Sequence, residues 1–330
     1  MLFHHLKTAV RAFRARKLHP IVNVLGLALG FSCFISAYVF NDYMDSADRH
    51  FSNADRIHVV FQREFFGFGL VSMDTGWGTS SSYLLADQLR TDLPEVEAVA
   101  RLTTPHETVV STGENRSFRR VQFAEPSFLE IFEFNFRYGS AEAVGTNTRS
   151  AILTEQAALA MFGRANVLGE TIELSDGQPI EIGGVISAIL EPSHLGVSVF
   201  GGGFEVLVTS PIPEETGVPV ADEFTERMGW FSVATYNYVL LPADGRFSAE
   251  RLNEYLATLG PRFVDQAEGS VEFEARPVYR VAAHAVDNML WNDYPISVTS
   301  SMLLLGALVL TIAGANYVNL EVVPHFWTVR

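Results

Sequence analysis

Two stretches of this chain carry no charged residue over a membrane-length distance. Pro20–Phe40 has 21 residues and Ile296–Leu320 has 25. At 1.5 Å rise per residue, about 20 apolar residues in a helix cover the ~30 Å hydrocarbon core of a bilayer. A soluble domain seldom holds a helix that long and apolar on every side. The first run exceeds the short apolar core of a signal peptide and is followed by NDYMDSADRH, a poor cleavage context, so a retained anchor is expected. The expected fold class is α+β: two transmembrane helices, 20–40 and 296–320, flanking a mixed α/β extracytoplasmic domain.

Charge gives the expected orientation. Lys7, Arg11, Arg14, Arg16 and Lys17 precede the first span with no acid among them, while 41–295 is near −20 and holds no lysine. The positive-inside rule then puts the N-terminus in the cytoplasm and 41–295 outside it. Residues 1–19 place Phe3, Leu6, Val10 and Phe13 at helical spacing with basic residues on another face. That pattern suits an amphipathic elbow helix on an anionic inner leaflet or facing a cytoplasmic partner. A disordered basic flank that only sets topology is the alternative. So acidic an outer region excludes nucleic-acid binding, which needs a basic footprint.

Within the spans, Asn23, Gly26, Gly30, Gly306, Gly314, Asn316 and Asn319 are the candidate helix-packing positions. Small residues let helices approach closely in lipid, and amides at that depth need partners. Asn316 and Asn319 face a partner helix or lie at the headgroup level.

Between the spans, HVVFQREFF, VEAVARLTT and FRRVQFA read as strands, and SSYLLADQLRTDLP as an amphipathic helix. PSFLEIFEFNF follows as a short helix and aromatic turn, and SAILTEQAALAMFG as a strand running into a helix. ETIEL, DGQPIEIGGVISAI and FEVLVTS are β segments with a turn at Asp176-Gly177. YNYVLLPA, SAERLNEYLATLGPRFV and VEFEARPV close with strand, helix and strand. The first and last parts share a β-α-β rhythm that the middle interrupts, as an inserted subdomain would.

Catalytic chemistry is absent from the pattern. Gly201-Gly202-Gly203 is not followed by the Lys-Ser or Lys-Thr of a phosphate loop, and no lysine lies beyond Lys17. The histidines show no metal-ligand spacing, and the single cysteine, Cys33, excludes an internal disulfide. The expectation is a non-enzyme with no cofactor in this chain; any ATP is bound by a partner subunit.

The stretch FRARKLHPIVNVLGLALGFSCFISAYVF followed by DYMDSADRHFSNADRIHVV resembles the start of MacB/FtsX-type ABC transporter permeases, through Asn23, Gly26, Leu27, Ala28, Gly30, Asp48, Arg49, Phe51, Arg56 and Ile57. The middle is similar through Phe128, Phe132, Gly139, Leu153, Thr154, Phe162, Gly163, Gly169, Gly184, Val185 and His194. AGANYVNL resembles the family's second-span ending. The resemblance implies a bacterial inner-membrane protein with a periplasmic domain in two parts. One is a Porter-like part, 44–121 with 232–288, and the other an inserted Sabre-like part, 122–231. It further implies a separate ABC ATPase, a second permease copy or half, and a periplasmic or outer-membrane partner. ATP-driven helix motion would pass to the periplasmic domain for export or mechanotransmission. The family continues past the second span with a basic coupling segment and further helices. Residues 321–330, EVVPHFWTVR, match none of this, and Pro324 is expected to break a helix continuing inward. A truncated or frame-shifted permease, or a fragment of one, is thus expected, or alternatively a natural two-span protein. A two-span envelope sensor or ligand-binding protein is the rival functional reading.

Overall fold

The structure is a computed structural model that describes residues 18–68, 71–113, 115–145, 149–175, 177–196, 203–210, 229–231, 233–264, 269–284 and 298–326. The chain divides into two compact units, Met1–Met44 with Tyr294–Arg330 and Asp45–Asp293. The expected amphipathic helix over 1–19, with Lys7, Arg11, Arg14, Arg16 and Lys17, falls almost wholly on residues outside this description.

The first unit is a pair of helices, α1 (Leu18–Asp45) and the last helix of the chain, Val298–Phe326. Neither has acids in its first turn, and α1 has no basic residue in its last, so apolar composition rather than charge pattern defines them. Within α1, Val24–Asp45 is long and apolar enough to cross a membrane; in the last helix the described apolar stretch, Ser300–Ala315, is shorter. The last helix runs through Pro324 to Phe326. The expected break at that proline therefore does not occur. A proline removes one N–H bond and crowds the carbonyl four residues back, a local defect that a helix can bend around.

The second unit begins on a four-stranded antiparallel sheet. Its members are β1 (Ile57–Phe68), β4 (Ala98–Thr103), β12 (Val233–Leu240) and β13 (Ser270–Pro277), in the order β4-β12-β1-β13. Two short strands attach at its flanks: β2 (Val71–Asp74) to β1, and β3 (Ser81–Ser82) to β12. Helices α2 (Leu85–Asp92) and α6 (Ala249–Phe263) cover one face, where Leu85, Leu89, Leu252, Leu256 and Leu259 pack on Val60, Val99, Val239 and Phe273. Val59 and Phe61 point the other way into a second buried cluster. Burial on both faces explains why β1 reads as an apolar run rather than a clean alternation. Helix α6 lies against β13 at Gly260, where an added Cβ would fall 1.9 Å from the Val271 carbonyl oxygen. Only glycine permits that approach.

The middle of the chain builds a closed ring of six strands. In ladder order these are β5 (His106–Thr112), β6 (Asn115–Ala124), β11 (Val206–Thr209), β8 (Ser150–Thr154), β10 (Pro179–Ile186) and β9 (Thr171–Glu173), which returns to β5 through Ser111 opposite Glu173. β6–β11 and β8–β10 are parallel and the other pairings antiparallel. β7 (Phe136–Gly139) adds to β10. Val110, Val121, Phe123, Leu153, Ile182 and Val208 pack in one cluster with Ala157 and Met161 of α5 (Glu155–Phe162). Thr154 starts α5 by accepting the Ala157 N–H at 3.2 Å, the N-cap arrangement expected of threonine.

The ring and the four-stranded sheet meet over the cluster that Val59 and Phe61 enter, in which Phe128 and Ile131 of α3 (Phe128–Ile131), Phe132, Val144 of α4 (Ala141–Gly145), Leu207 and Tyr238 are also buried. The direct ladder link is narrow: Leu102 of β4 opposite Ala124 of β6. The 121/122 boundary expected between subdomains falls inside β6, and strand pairing groups all of β5 and β6 with the ring. The helix expected over 81–94 is confined to Leu85–Asp92, because Ser81 and Ser82 pair with β12 and the Ser82 hydroxyl accepts the Leu84 N–H at 3.1 Å.

Candidate functional site: two buried polar joints

Helix α1 stops at Asp45, and Asp48 follows in the left-handed region at φ +60, fully buried. Asparagine and aspartate are the non-glycine residues best able to hold that conformation. The Asp48 carboxylate gathers three donors from one segment. The Ser193 hydroxyl donates at 2.5 Å, the His194 backbone N–H at 3.2 Å, and His194 Nδ1 lies 2.8 Å away. Pro192 accepts the Asp48 N–H at 2.9 Å. His194 Nε2 then meets the Tyr238 hydroxyl of β12 at 2.8 Å. Burial pushes the Tyr238 phenol well above its ordinary value, and the charges of Tyr236 and Asp48 add to this. The tyrosine therefore stays protonated.

Aromatic rings pack around this relay. Phe132 meets Tyr238 edge-on with centroids 4.9 Å apart, and Phe51 meets Phe132 edge-on at 5.0 Å. The low-dielectric surroundings strengthen each hydrogen bond and make any unpaired member costly. Three segments remote in sequence, at 48, 193–194 and 238, are thereby held as one body.

The second joint lies at the narrow link between sheet and ring. Arg101 of β4, buried, donates to Glu125 Oε1 from Nη2 at 2.6 Å and from Nε at 2.9 Å, and its backbone N–H reaches Glu125 Oε2 at 2.9 Å. Arg90 of α2 binds the same carboxylate, and Asp87 bridges Arg90 and Arg101. Burial alone would raise the Glu125 carboxyl, but the hydrogen bonds and positive charge of Arg90 and Arg101 outweigh it and hold it below its ordinary value. Fork-shaped guanidinium contacts of this kind fix direction as well as distance.

In the helix pair, an added Cβ on Gly30 would lie 3.1 Å from Leu310 Cδ2 and 3.5 Å from its Cα, and one on Gly306 would lie 3.0 Å from Phe34 Cα. The two helices thus approach backbone to backbone at these glycines. Gly26 and Gly314 face open space. The side chains of Asn23, Asn316 and Asn319 are outside the described residues, as is Asp176.

Two open clefts lie in the second unit. One of about 400 Å³ runs between α6 and β13, and one of about 450 Å³ lies beside α5. Several of their carboxylates are engaged within the chain: Glu274 with Arg276, Glu155 with Arg137, and Glu205 with Arg119 and Arg120. Among the described residues no group of three His, Cys, Asp or Glu side chains could hold a metal ion. The arrangement positions segments rigidly; it does not present a nucleophile with its base. The family pattern matched Asp48 and His194 separately, and sequence reading singled out neither their contact nor Ser193, Tyr238, Arg101 and Glu125. The only local signal was an aspartate three residues past an apolar helix.

An apolar helix long enough to cross a membrane, followed by a mixed α/β domain, is the layout of a membrane protein with an extracytoplasmic domain. The profile of the MacB-like periplasmic core domain matches residues 21–259, and the chain belongs to that family. Its fold is similar to a domain of a protein described as a permease from Porphyromonas gingivalis, at 21% identity and TM-score 0.52, over 70% of this chain and 92% of that one. Two further solved structures match at TM-scores of 0.43 and 0.38. They are the periplasmic region of MacB from Actinobacillus actinomycetemcomitans (12% identity, 73% of this chain and 95% of that one) and the extracellular domain of the noncanonic ABC-type transporter YknZ from Gram-positive bacteria (14%, 65% and 99%). No curated protein sequence matches the chain.

Proposed function

We propose that the chain is a permease component of a MacB/FtsX-type ABC transporter. α1 and the helix Val298–Phe326 cross the inner membrane, with the N-terminus cytoplasmic and 45–293 periplasmic. ATP is hydrolysed on a separate subunit, and the helices act as levers. The four-stranded sheet with α2 and α6 is the Porter-like part, and the six-stranded ring the Sabre-like part. Helix motion enters through the short segment from Asp45 to Asp48, where the Asp48–His194–Tyr238 relay makes the segment rigid with β12. It passes to the ring across Arg101–Glu125. A second permease copy or half completes the membrane core, and Lys7, Arg11, Arg14, Arg16 and Lys17 face the inner leaflet or the ATPase.

The observation that carries this reading is that one family profile spans residues 21–259, taking in both the apolar helix and most of the outer domain. The test is purification of the full chain from native membranes in mild detergent. An ABC ATPase in stoichiometric amount is expected. A chain recovered without any ATPase, in several detergents and at native expression, would sink the proposal.

A further inference from the structure

The outer wall of the ring carries a patch unlike the rest of the domain. Along β6, residues alternate between the ring interior, where Val121 and Phe123 are buried, and the outside. Arg116, Phe118 and Arg120 share the outward side, and their partners on β5 are Ser111, Val109 and Glu107. Phe118 is 71% exposed, above every other large hydrophobic residue described in the chain, the apolar helices included. A lone exposed aromatic is ordinary; one framed by guanidinium groups on a rigid ladder is not.

The charge is equally out of place. The region 41–295 is near −20 and lacks lysine, yet three arginines, at 116, 119 and 120, fall within five residues. Arg119 and Arg120 share one carboxylate, Glu205, at 3.7 and 4.0 Å. Arg116 is exposed with neither ion pair nor hydrogen bond among the described residues. On its side away from β5, β6 is paired with β11 only over Val121–Ala124, so among the described residues 115–119 have no strand beside them.

We propose that this wall, Phe118 framed by Arg116 and Arg120, docks a different extracytoplasmic protein through a surface that sets carboxylates around an apolar recess. Charge complementarity selects that occupant. A symmetric contact with a second copy would bring this patch against itself and gather four arginines around the axis, Arg116 and Arg120 from each copy. The surface stands independently of the ABC reading, since it needs only that the outer domain meet other proteins.

The test places the photo-crosslinking residue p-benzoylphenylalanine at position 118 of the full chain, in membranes of its native host, and identifies the cross-linked peptide by mass spectrometry. The expected result is one discrete protein adduct whose linked segment has Asp or Glu within a few residues. Its yield should fall about tenfold with Arg116→Glu and persist with Arg116→Lys, as for an interface hot spot. The Arg116 side chain is exposed and has no partner among the described residues, so both variants are expected to keep the fold, checked by an unchanged Tm. The proposal is overturned by the absence of an adduct, by an adduct to lipid or to a second copy of the chain, by a linked segment without acids, or by a yield indifferent to the charge at 116. Success with no ATPase in the preparation would leave the docking surface standing and the transporter reading not.

Discussion

Asp48 and His194 are 146 residues apart in sequence, yet His194 Nδ1 lies 2.8 Å from Oδ2 of the fully buried Asp48. The contact turns the chain just past α1 into part of the outer domain's core.

Removing one member of such a buried pair strands the other. Asp48→Ala leaves the Ser193 hydroxyl, the His194 N–H and His194 Nδ1 without their acceptor and is expected to lower the stability of the outer domain by about 3 kcal/mol. Asp48→Asn keeps a residue that tolerates the left-handed backbone and costs less. Tyr238→Phe, which takes only the hydroxyl from His194 Nε2, costs about 1–2 kcal/mol. Denaturant unfolding of the three variants checks the ranking.

Glu125 gives the domain an acid limb. Its folded carboxyl is held low, so its contribution is full above the unfolded value near 4.5 and is lost as pH falls through the folded value. Stability should therefore drop on acidification from below about pH 5. Glu125→Gln should flatten that limb. It also lowers stability at neutral pH by about 2–3 kcal/mol, because buried Arg101 is left with the more exposed Asp87 as its counter-charge. Melting temperatures across pH 3–7 for both proteins read this directly.

Glu64 behaves in the opposite sense. Burial raises its carboxyl, only partly offset by the hydrogen bond from Gln62 at 2.8 Å. Its stability contribution is largest below the unfolded value and falls as pH rises through the folded one. Glu64→Gln should therefore stabilise the domain at pH 7, and by less at pH 4, which denaturant unfolding at the two pH values checks.

The helix pair separates its glycines. Gly30→Leu and Gly306→Leu must push the helices apart, since an added Cβ already falls 3.0–3.1 Å from the facing helix. Gly26→Leu and Gly314→Leu enter open space and should be silent. Thermal melts of the helical circular-dichroism signal in detergent should show a drop only for the first two.

Some of this was readable from the sequence for clear reasons. α1 announces itself because Pro20–Phe40 carries no charge, and α6 because SAERLNEYLATLGPRFV places Leu252, Leu256 and Leu259 on one face after the Ser248 cap. β5 was not legible: HETVVST is mostly half-exposed, so its alternation lacks contrast. Ser81 and Ser82 read as a helix start until Asn237 of β12 is seen to donate to Ser81 Oγ and the Ser82 carbonyl, both at 2.9 Å. The closed ring depends on pairings such as Val121 with Val206, and no local pattern encodes these. The two joints were hidden for the same reason: their geometry exists only after the chain has brought 48 to 194 and 101 to 125.

The central claim is that helix motion reaches the outer domain through Asp48. The measurement is electron–electron distance spectroscopy on the complex with its ATPase, in a Cys33→Ala background. One spin label replaces exposed Glu133 in each permease copy. The account predicts a distance distribution that shifts by several ångströms with ATP, and a shift that vanishes in Asp48→Ala while ATP hydrolysis continues. Distances unchanged by ATP, or an undiminished shift in the variant, would contradict it.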